Sequence, residues 1–425
     1  MALLRDKKVL GWVLYDWANS SYVTTVMAGF FPVFFKEYWS KGVDVTVSTA
    51  KLGFANSLAG LFVALVSPVL GAIADRGTMR KKFLLFFCYL GILMCTSLFF
   101  IAEGKWLLAT IIYVMGVVGF SGANTFYDAL LPSVADEKSI DYVSSLGFAF
   151  GYLGGGLLFA INVIMVQKPS LFGIGSTAMA VKYSFLTVAL WWAVFTIPLI
   201  LWVPDKAKRR EEKYVIGGFR QFVATFRKVK HLKVVFLFLV AYWLYIDGVD
   251  TIIRMAIDYG LSIGFESKDL ILALLITQFV GFPSAIVLGK IGQKIGSKRA
   301  ILICIGGYIF IVFWGILMTR KYEFYVLAIL VGLFQGGIQA LSRSFYSRII
   351  PHDQLGEFFG FYNLLGKFAV ILGPILIGLT GLISHNPRIG IASILILFVL
   401  GGGVLIAVDE KKGHSEAKFL RYEEG

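Results

Sequence analysis

Apolar blocks about twenty residues long, Leu52 to Ala74 and Phe83 to Ile101 among them, constrain this chain before anything else does. About 20 apolar residues at 1.5 Å each cross a hydrocarbon core of roughly 30 Å. A soluble helix of that length would carry a polar face, and these blocks carry none. They recur throughout: 58% of the 425 residues are hydrophobic and 16% charged, against about 45–50% and 25% in soluble domains. The chain reads as an all-α, polytopic membrane protein.

Polar and Gly/Pro punctuation predicts twelve spans. Six lie near 9–35, 52–74, 82–102, 106–131, 143–166 and 184–203, and six near 234–257, 269–289, 300–318, 323–346, 357–382 and 389–408. The expected organisation is an N-terminal six-helix half (1–205), a linker (206–232), a C-terminal six-helix half (233–410) and a tail (411–425). Arg5, Lys7 and Lys8 before the first block suggest a signal peptide. The block runs on to about Phe35 with no small-residue cleavage site, so it reads as the first span.

The net charge of +14 does not point to nucleic acid, because the basic residues sit in short loops between spans and not on one folded face. Counted by side, 28 Lys and Arg fall with the two termini and the linker. Ten fall opposite: Lys36, Lys41, Lys51, Lys105, Lys168, Lys182, Lys268, Arg320, Lys321 and Arg388. The bias places both termini in the cytoplasm, with a prokaryotic plasma membrane as the expected location. Cys88, Cys95 and Cys304 lie inside apolar blocks with no CxxC, and the four histidines show no HExxH spacing. Neither a metal nor a cofactor is expected, and a monomer is.

Internal repeats relate the halves. Gly71…Asp75-Arg76…Arg80-Lys81 returns as Gly289…Gln293-Lys294…Lys298-Arg299, 218 residues on. At 219, Phe126-Tyr127 matches Phe345-Tyr346, Pro132 matches Pro351, Gly147 matches Gly366 and Gly154 matches Gly373. Equivalent spans are joined, so the repeats run parallel in the membrane, a transporter design.

The loop Gly71…Asp75-Arg76…Arg80-Lys81 resembles the GxxxDRxGRRK signature of the major facilitator superfamily, departing from it at Thr78 and Met79. Further runs are Tyr15-Asp16-Trp17-Ala18-Asn19-Ser20, Gly151 to Gly156, Gln335 to Ser344, Glu357 to Gly360, Gly366 to Ala369 and Leu372 to Pro374. Together they resemble the vacuole-effluxer branch, named for an autophagy-related vacuolar amino-acid permease. The resemblance implies the major facilitator fold and alternating access, and suggests amino acids as solute. It also implies an inner gate at Asp75 and Arg76, with Arg80 nearby. Asp128, at the cytoplasmic end of the fourth span, is the expected partner for Arg76 or Arg80.

Polar residues inside spans are candidate cavity groups, since each charge at mid-bilayer costs about 2.5–3.5 kcal/mol. Asp247, Asp250 and Arg254 share one face of the seventh span, lining a cavity or clamping the helix. Asp16, Asn19 and Ser20 share a face of the first span, for solute or proton handling or for packing. Gln335, Gln339 and Arg343 repeat the pattern in the tenth, with Arg343 near the cytoplasmic end, where gating and binding both fit. Lys367, well inside the eleventh span, needs a carboxylate or a cavity, and Asp247 is its expected partner.

Gly151 to Gly156 and Gly401 to Gly403 read as close helix packing. Trp106, Trp191 and Trp192 read largely as interface anchors. No GxxxxGK[ST] occurs, so a gradient, through a coupling ion, must drive any transport of a small solute. No catalytic pair lies within the spans, so the chain is not read as an enzyme. A receptor or scaffold on a transporter-like fold is the alternative.

Overall fold

A computed structural model describes residues 5–42, 79–205, 232–262, 267–351, 354–368, 372–384, 387–413 and 415–416. Every described element is a helix. The expected second span (52–74), with Asp75 and Arg76, and the linker from 206 lie outside the described residues.

Helix α1 starts as Lys7–Ser21 and continues through a wider π-type stretch, Tyr22–Phe30, then Phe31–Phe34 and a second π-type stretch, Phe35–Trp39. Pro32 lies in the α-helical turn that follows the first of these stretches and has no N–H to donate to the carbonyl one turn back. The Phe31 N–H reaches back five residues to Val26. The N-terminal half continues with α2 Arg80–Leu98, α3 Trp106–Val134, α4 Ile140–Gln167 and α5 Thr177–Trp202. The C-terminal half holds α6 Lys233–Ser262, α7 Ser267–Ile295, α8 Ser297–Leu317, α9 Lys321–Ile349, α10 Leu355–Phe368, α11 Leu372–Ser384, α12 Pro387–Ala392 and α13 Leu395–Ala407. The eleventh and twelfth expected spans are each described as two helices, α10 with α11 and α12 with α13. Gly296 alone separates α7 from α8, at φ +89°, a backbone that glycine adopts without strain.

Among the described residues, nine helices are long and apolar enough to cross a membrane. Large apolar side chains such as Phe86, Leu107, Leu190, Phe313 and Ile406 face outward, as a lipid-solvated surface requires. Inside, buried apolar side chains form two clusters, one drawn from Val9 to Val203 and one almost wholly from Leu232 to Val408.

Contacts repeat between the halves. α1 packs on α5 as α6 packs on α13, α2 on α3 as α8 on α9, and α2 on α5 as α8 on α13. One side chain shows the relation in detail. Lys81, second residue of α2, donates to the Ile200 and Val203 carbonyls at the end of α5, at 2.5 and 2.8 Å. Lys298, second residue of α8, donates to Ile406 and Val408 at the end of α13, both at 2.7 Å. Each satisfies carbonyls that a helix terminus leaves without donors. The two lysines correspond in a register one residue shorter than the 218-residue offset read from the sequence.

The halves meet where α4 lies against α7 and α9, and where α3 lies against α9 and α10.

Candidate functional site

On the side where the described residues begin and end, bonds between the halves gather in two layers. The inner layer centres on Arg343 of α9, which is 3% exposed and enters the N-terminal half. Its Nη1 donates to Asp128 Oδ1 at 3.0 Å, and its Nη2 lies 3.6 Å from Asp16 Oδ2. Its Nε donates to the Ser144 hydroxyl at 3.0 Å and its Nη2 to the Ser144 carbonyl at 2.8 Å. The guanidinium carbon stands 4.8 Å from the Trp12 ring, 5.4 Å from Tyr127 and 4.4 Å from Phe148. The planar cation thus lies among three aromatic rings and two carboxylates, contacts an ammonium point charge matches less well.

Local sequence sets this geometry. Trp12 and Asp16, four apart on α1, share a face, and the neighbouring Tyr127 and Asp128 of α3 both reach it. Trp12 stacks on Tyr127 at 4.3 Å and donates its indole N–H to the Tyr127 carbonyl at 3.0 Å. The Tyr127 hydroxyl donates to Asp16 at 2.8 Å. Asn363 of α10 donates to Asp128 at 3.4 Å.

The outer layer centres on Asp141, 1% exposed in the first turn of α4. Its carboxylate accepts from the Ser297 hydroxyl at 2.9 Å, from the Ser344 hydroxyl, and from the Arg348 guanidinium. Arg348 also pairs with Glu410, past the last span, at 3.3 Å. Gln293, in the repeat of the basic loop, donates to the Lys138 carbonyl at 3.0 Å. In the loop that leads to Asp141, Ser139 bonds Asp136, which holds the Asp136 carboxyl below its ordinary range.

The sequence candidates divide among several places. Asp16, Asp128 and Arg343 come together. Asp128 accepts from Arg343 and Asn363, because α9 and α10 lie against α3; Arg76, one of its two expected partners, lies outside the described residues. Arg80 is buried at the start of α2. Asn19 does not join Arg343 and donates to Asn124 at 2.6 Å. Asp247 is fully buried and accepts from the Leu372 and Gly373 backbone N–H groups, each at 2.9 Å, and from Thr251 at 3.1 Å. Asp250, Gln335 and Gln339 are half-buried on α6 and α9. The side chains of Arg254 and Lys367 lie outside the described set, and with them the expected Lys367–Asp247 pair.

Trp192 is a correction. It is fully buried, 5.5 Å from Tyr22 and against Gly91, so it packs the interior and anchors no interface. Trp191 stacks on Trp17 at 5.5 Å and donates to its carbonyl at 3.1 Å.

Sequence reasoning missed Asp141, Ser144, Arg348, Asn363 and the aromatic walls. Asp141 and Arg348 flank predicted spans and read as loop charges. Asn363 was a visible signal, a polar residue inside the eleventh span.

Two like helical halves, joined by ion pairs at one end, form the architecture of the major facilitator class, and solved structures bear out the fold. The proton:xylose symporter XylE matches with a TM-score of 0.71 at 14% identity, covering 96% of this chain and 95% of that one. FucP in its outward conformation matches at 0.68 and 11%, covering 96% and 100%. Within that class the chain belongs to the vacuole effluxer Atg22-like family, whose model matches residues 5–418. The uncharacterised MFS-type transporter YxiO of Bacillus subtilis is 39% identical, with 95% of each chain covered. Autophagy-related protein 22 of Yarrowia lipolytica is 24% identical, covering 86% of this chain and 76% of that protein. The chain is a multi-pass membrane transporter, not an enzyme.

Proposed function

We propose that this transporter moves a small amino-acid-like solute by alternating access, as efflux coupled to protons across a prokaryotic plasma membrane. One observation carries the alternating-access part: a guanidinium from one half is seated among carboxylates of the other, Arg343 on Asp16 and Asp128. Such a pair ties the halves without fusing them. Two carboxylates share one guanidinium here, so a proton arriving on either weakens the hold on Arg343 and favours opening at this end. Asp16, Asp247 and Asp250 are the proposed proton carriers, with Asn19, Arg254, Gln335, Gln339 and Lys367 lining the solute path.

The inner gate comprises Asp128 and Arg343 together with Asp75, Arg76 and Arg80. The excess of Lys and Arg on the terminus side supports cytoplasmic termini. The two halves, 1–205 and 233–410, are taken as the moving bodies, within a monomer. Amino acids as the solute rest on the family alone.

The test is uptake of labelled amino acids into proteoliposomes under an imposed pH gradient. Asn in place of Asp16, Asp247 or Asp250 should leave counterflow exchange measurable and abolish gradient-driven accumulation. Full accumulation in all three variants would rule out these carriers. Absence of exchange for every amino acid offered would rule out the solute class.

A further inference from the structure

We infer that the walls around Arg343, namely Trp12, Tyr127 and Phe148 with the carboxylates Asp16 and Asp128, form a binding site for the organic cation of the solute. Arg343 fills it in the present conformation and vacates it when the halves part. The inference rests on the alternating-access reading and names the solute's chemistry: it carries an ammonium or a guanidinium.

Ownership of the parts carries the argument. Every wall residue comes from α1, α3 or α4 of the N-terminal half, and the guest comes from α9 of the C-terminal half. Parting the halves therefore withdraws the guest and leaves the walls together. The walls brace one another without it, through the Trp12–Tyr127 stack, the indole bond to the Tyr127 carbonyl and the Tyr127 bond to Asp16. Gly147 closes the floor: a Cβ there would meet Asp16 Oδ2 at 2.6 Å, Trp12 at 2.8 Å and the Tyr127 hydroxyl at 3.0 Å.

The chemistry of the walls selects the occupant. Asp16 is 9% exposed and Asp128 7% while Arg343 is seated, and withdrawing Arg343 leaves both carboxylates without that cation beside the π surfaces of Trp12, Tyr127 and Phe148. Such a space attracts a cation that can both stack and donate hydrogen bonds, and it repels anions. Among the described residues, two carboxylates face one guanidinium there. A solute cation that takes the place of Arg343 supplies the compensation opening would otherwise remove, so binding and opening favour each other.

The experiment uses the full-length protein in detergent with Arg343→Gln, which empties the site. Methylguanidinium, methylammonium and sodium chlorides are added at matched ionic strength, and binding is read by calorimetry and melting temperature. Both organic cations should bind saturably and sodium should not. Affinity should fall at least about tenfold, ~1.4 kcal/mol, on adding Asp128→Asn, and should be at least about tenfold weaker in the parent, where Arg343 competes. Should Arg343→Gln fail to fold, the parent background with Ala340→Cys serves. Methylguanidinium should then raise maleimide labelling from the terminus side, and less so with Asp128→Asn.

No saturable binding in a folded Arg343→Gln protein, or no change in labelling, overturns the site. So does stabilisation of Arg343→Gln by lowered pH with none from either organic cation, which would make the carboxylates proton sites and nothing more. Cation binding without amino-acid exchange in proteoliposomes would sink the solute reading and leave this site standing. Exchange without cation binding would do the reverse.

Discussion

Asp247, fully buried in α6, turns its carboxylate onto the first turn of α11, where Leu372 and Gly373 donate their backbone N–H groups. A negative group there satisfies donors the helix leaves open and faces the positive end of its dipole. The residue thus has a structural use whichever part it takes in proton handling. Asp247→Ala should lower the stability of the purified protein by about 0.5–2 kcal/mol, the usual cost of a lost N-terminal cap. Asp247→Asn, which keeps an acceptor, should cost less. Identical melting temperatures for parent and both variants would show that the cap contributes nothing. The Lys367 proposal is tested in the same background. If Lys367→Ala and Asp247→Ala act independently their effects add, and a double variant more stable than Lys367→Ala marks a pair.

At the scale of the element, α1 and α4 approach through glycines. A Cβ on Gly154 would meet the Trp17 carbonyl oxygen at 2.6 Å, and one on Gly155 the Ser20 carbonyl oxygen at 3.0 Å. Backbone cannot swing aside as a side-chain tip can, so the added methyl forces the helices apart. Gly154→Ala should destabilise by about 1–3 kcal/mol, the range for overpacking. Gly403→Ala, where a Cβ meets nothing within 4 Å among the described residues, should stay within about 0.5 kcal/mol. Thermal unfolding of the two variants side by side checks the contrast, and equal shifts would refute it. This packing role was legible from the run Gly151 to Gly156, because small residues inside an apolar span let backbones approach. The π-type widening after Ser21 was not read.

Across the whole molecule, the two layers bind the halves at one end, and the outer one can be tested apart from the inner. Arg348→Ala leaves Asp141 its two serine donors but removes the bridge to Glu410 and the Glu137 carbonyl. Loss of a charged hydrogen bond there, about 1–3 kcal/mol, should raise the opening constant by roughly 5–150-fold. Labelling of an Ala340→Cys reporter from the terminus side reads this, and an unchanged rate would exclude the outer layer from the latch. Asp75→Ala should move labelling the same way if the loop belongs to the gate.

Membrane insertion and span placement are properties of local windows, and the parallel repeat is a match between such windows, so the chain declares them on its own. Twenty apolar residues partition into lipid whatever their neighbours, and loop charge acts on each span as it enters the bilayer. The pairing of charges is of another kind. Asp16 and Arg343 could be picked out as polar groups in apolar surroundings, since that cost is local too, and Asp128 only as a charge at the end of its span, expected to meet Arg76 or Arg80. Which acid meets which base depends on separations of a few ångströms between residues more than two hundred positions apart, as Asp128 and Arg343 are. In a medium of low dielectric the interaction changes steeply over such distances. Only the packing of α1, α3, α4, α9 and α10 could assign Arg343 to Asp16 and Asp128, add the rings of Trp12, Tyr127 and Phe148, and place Asp141 beside Arg348.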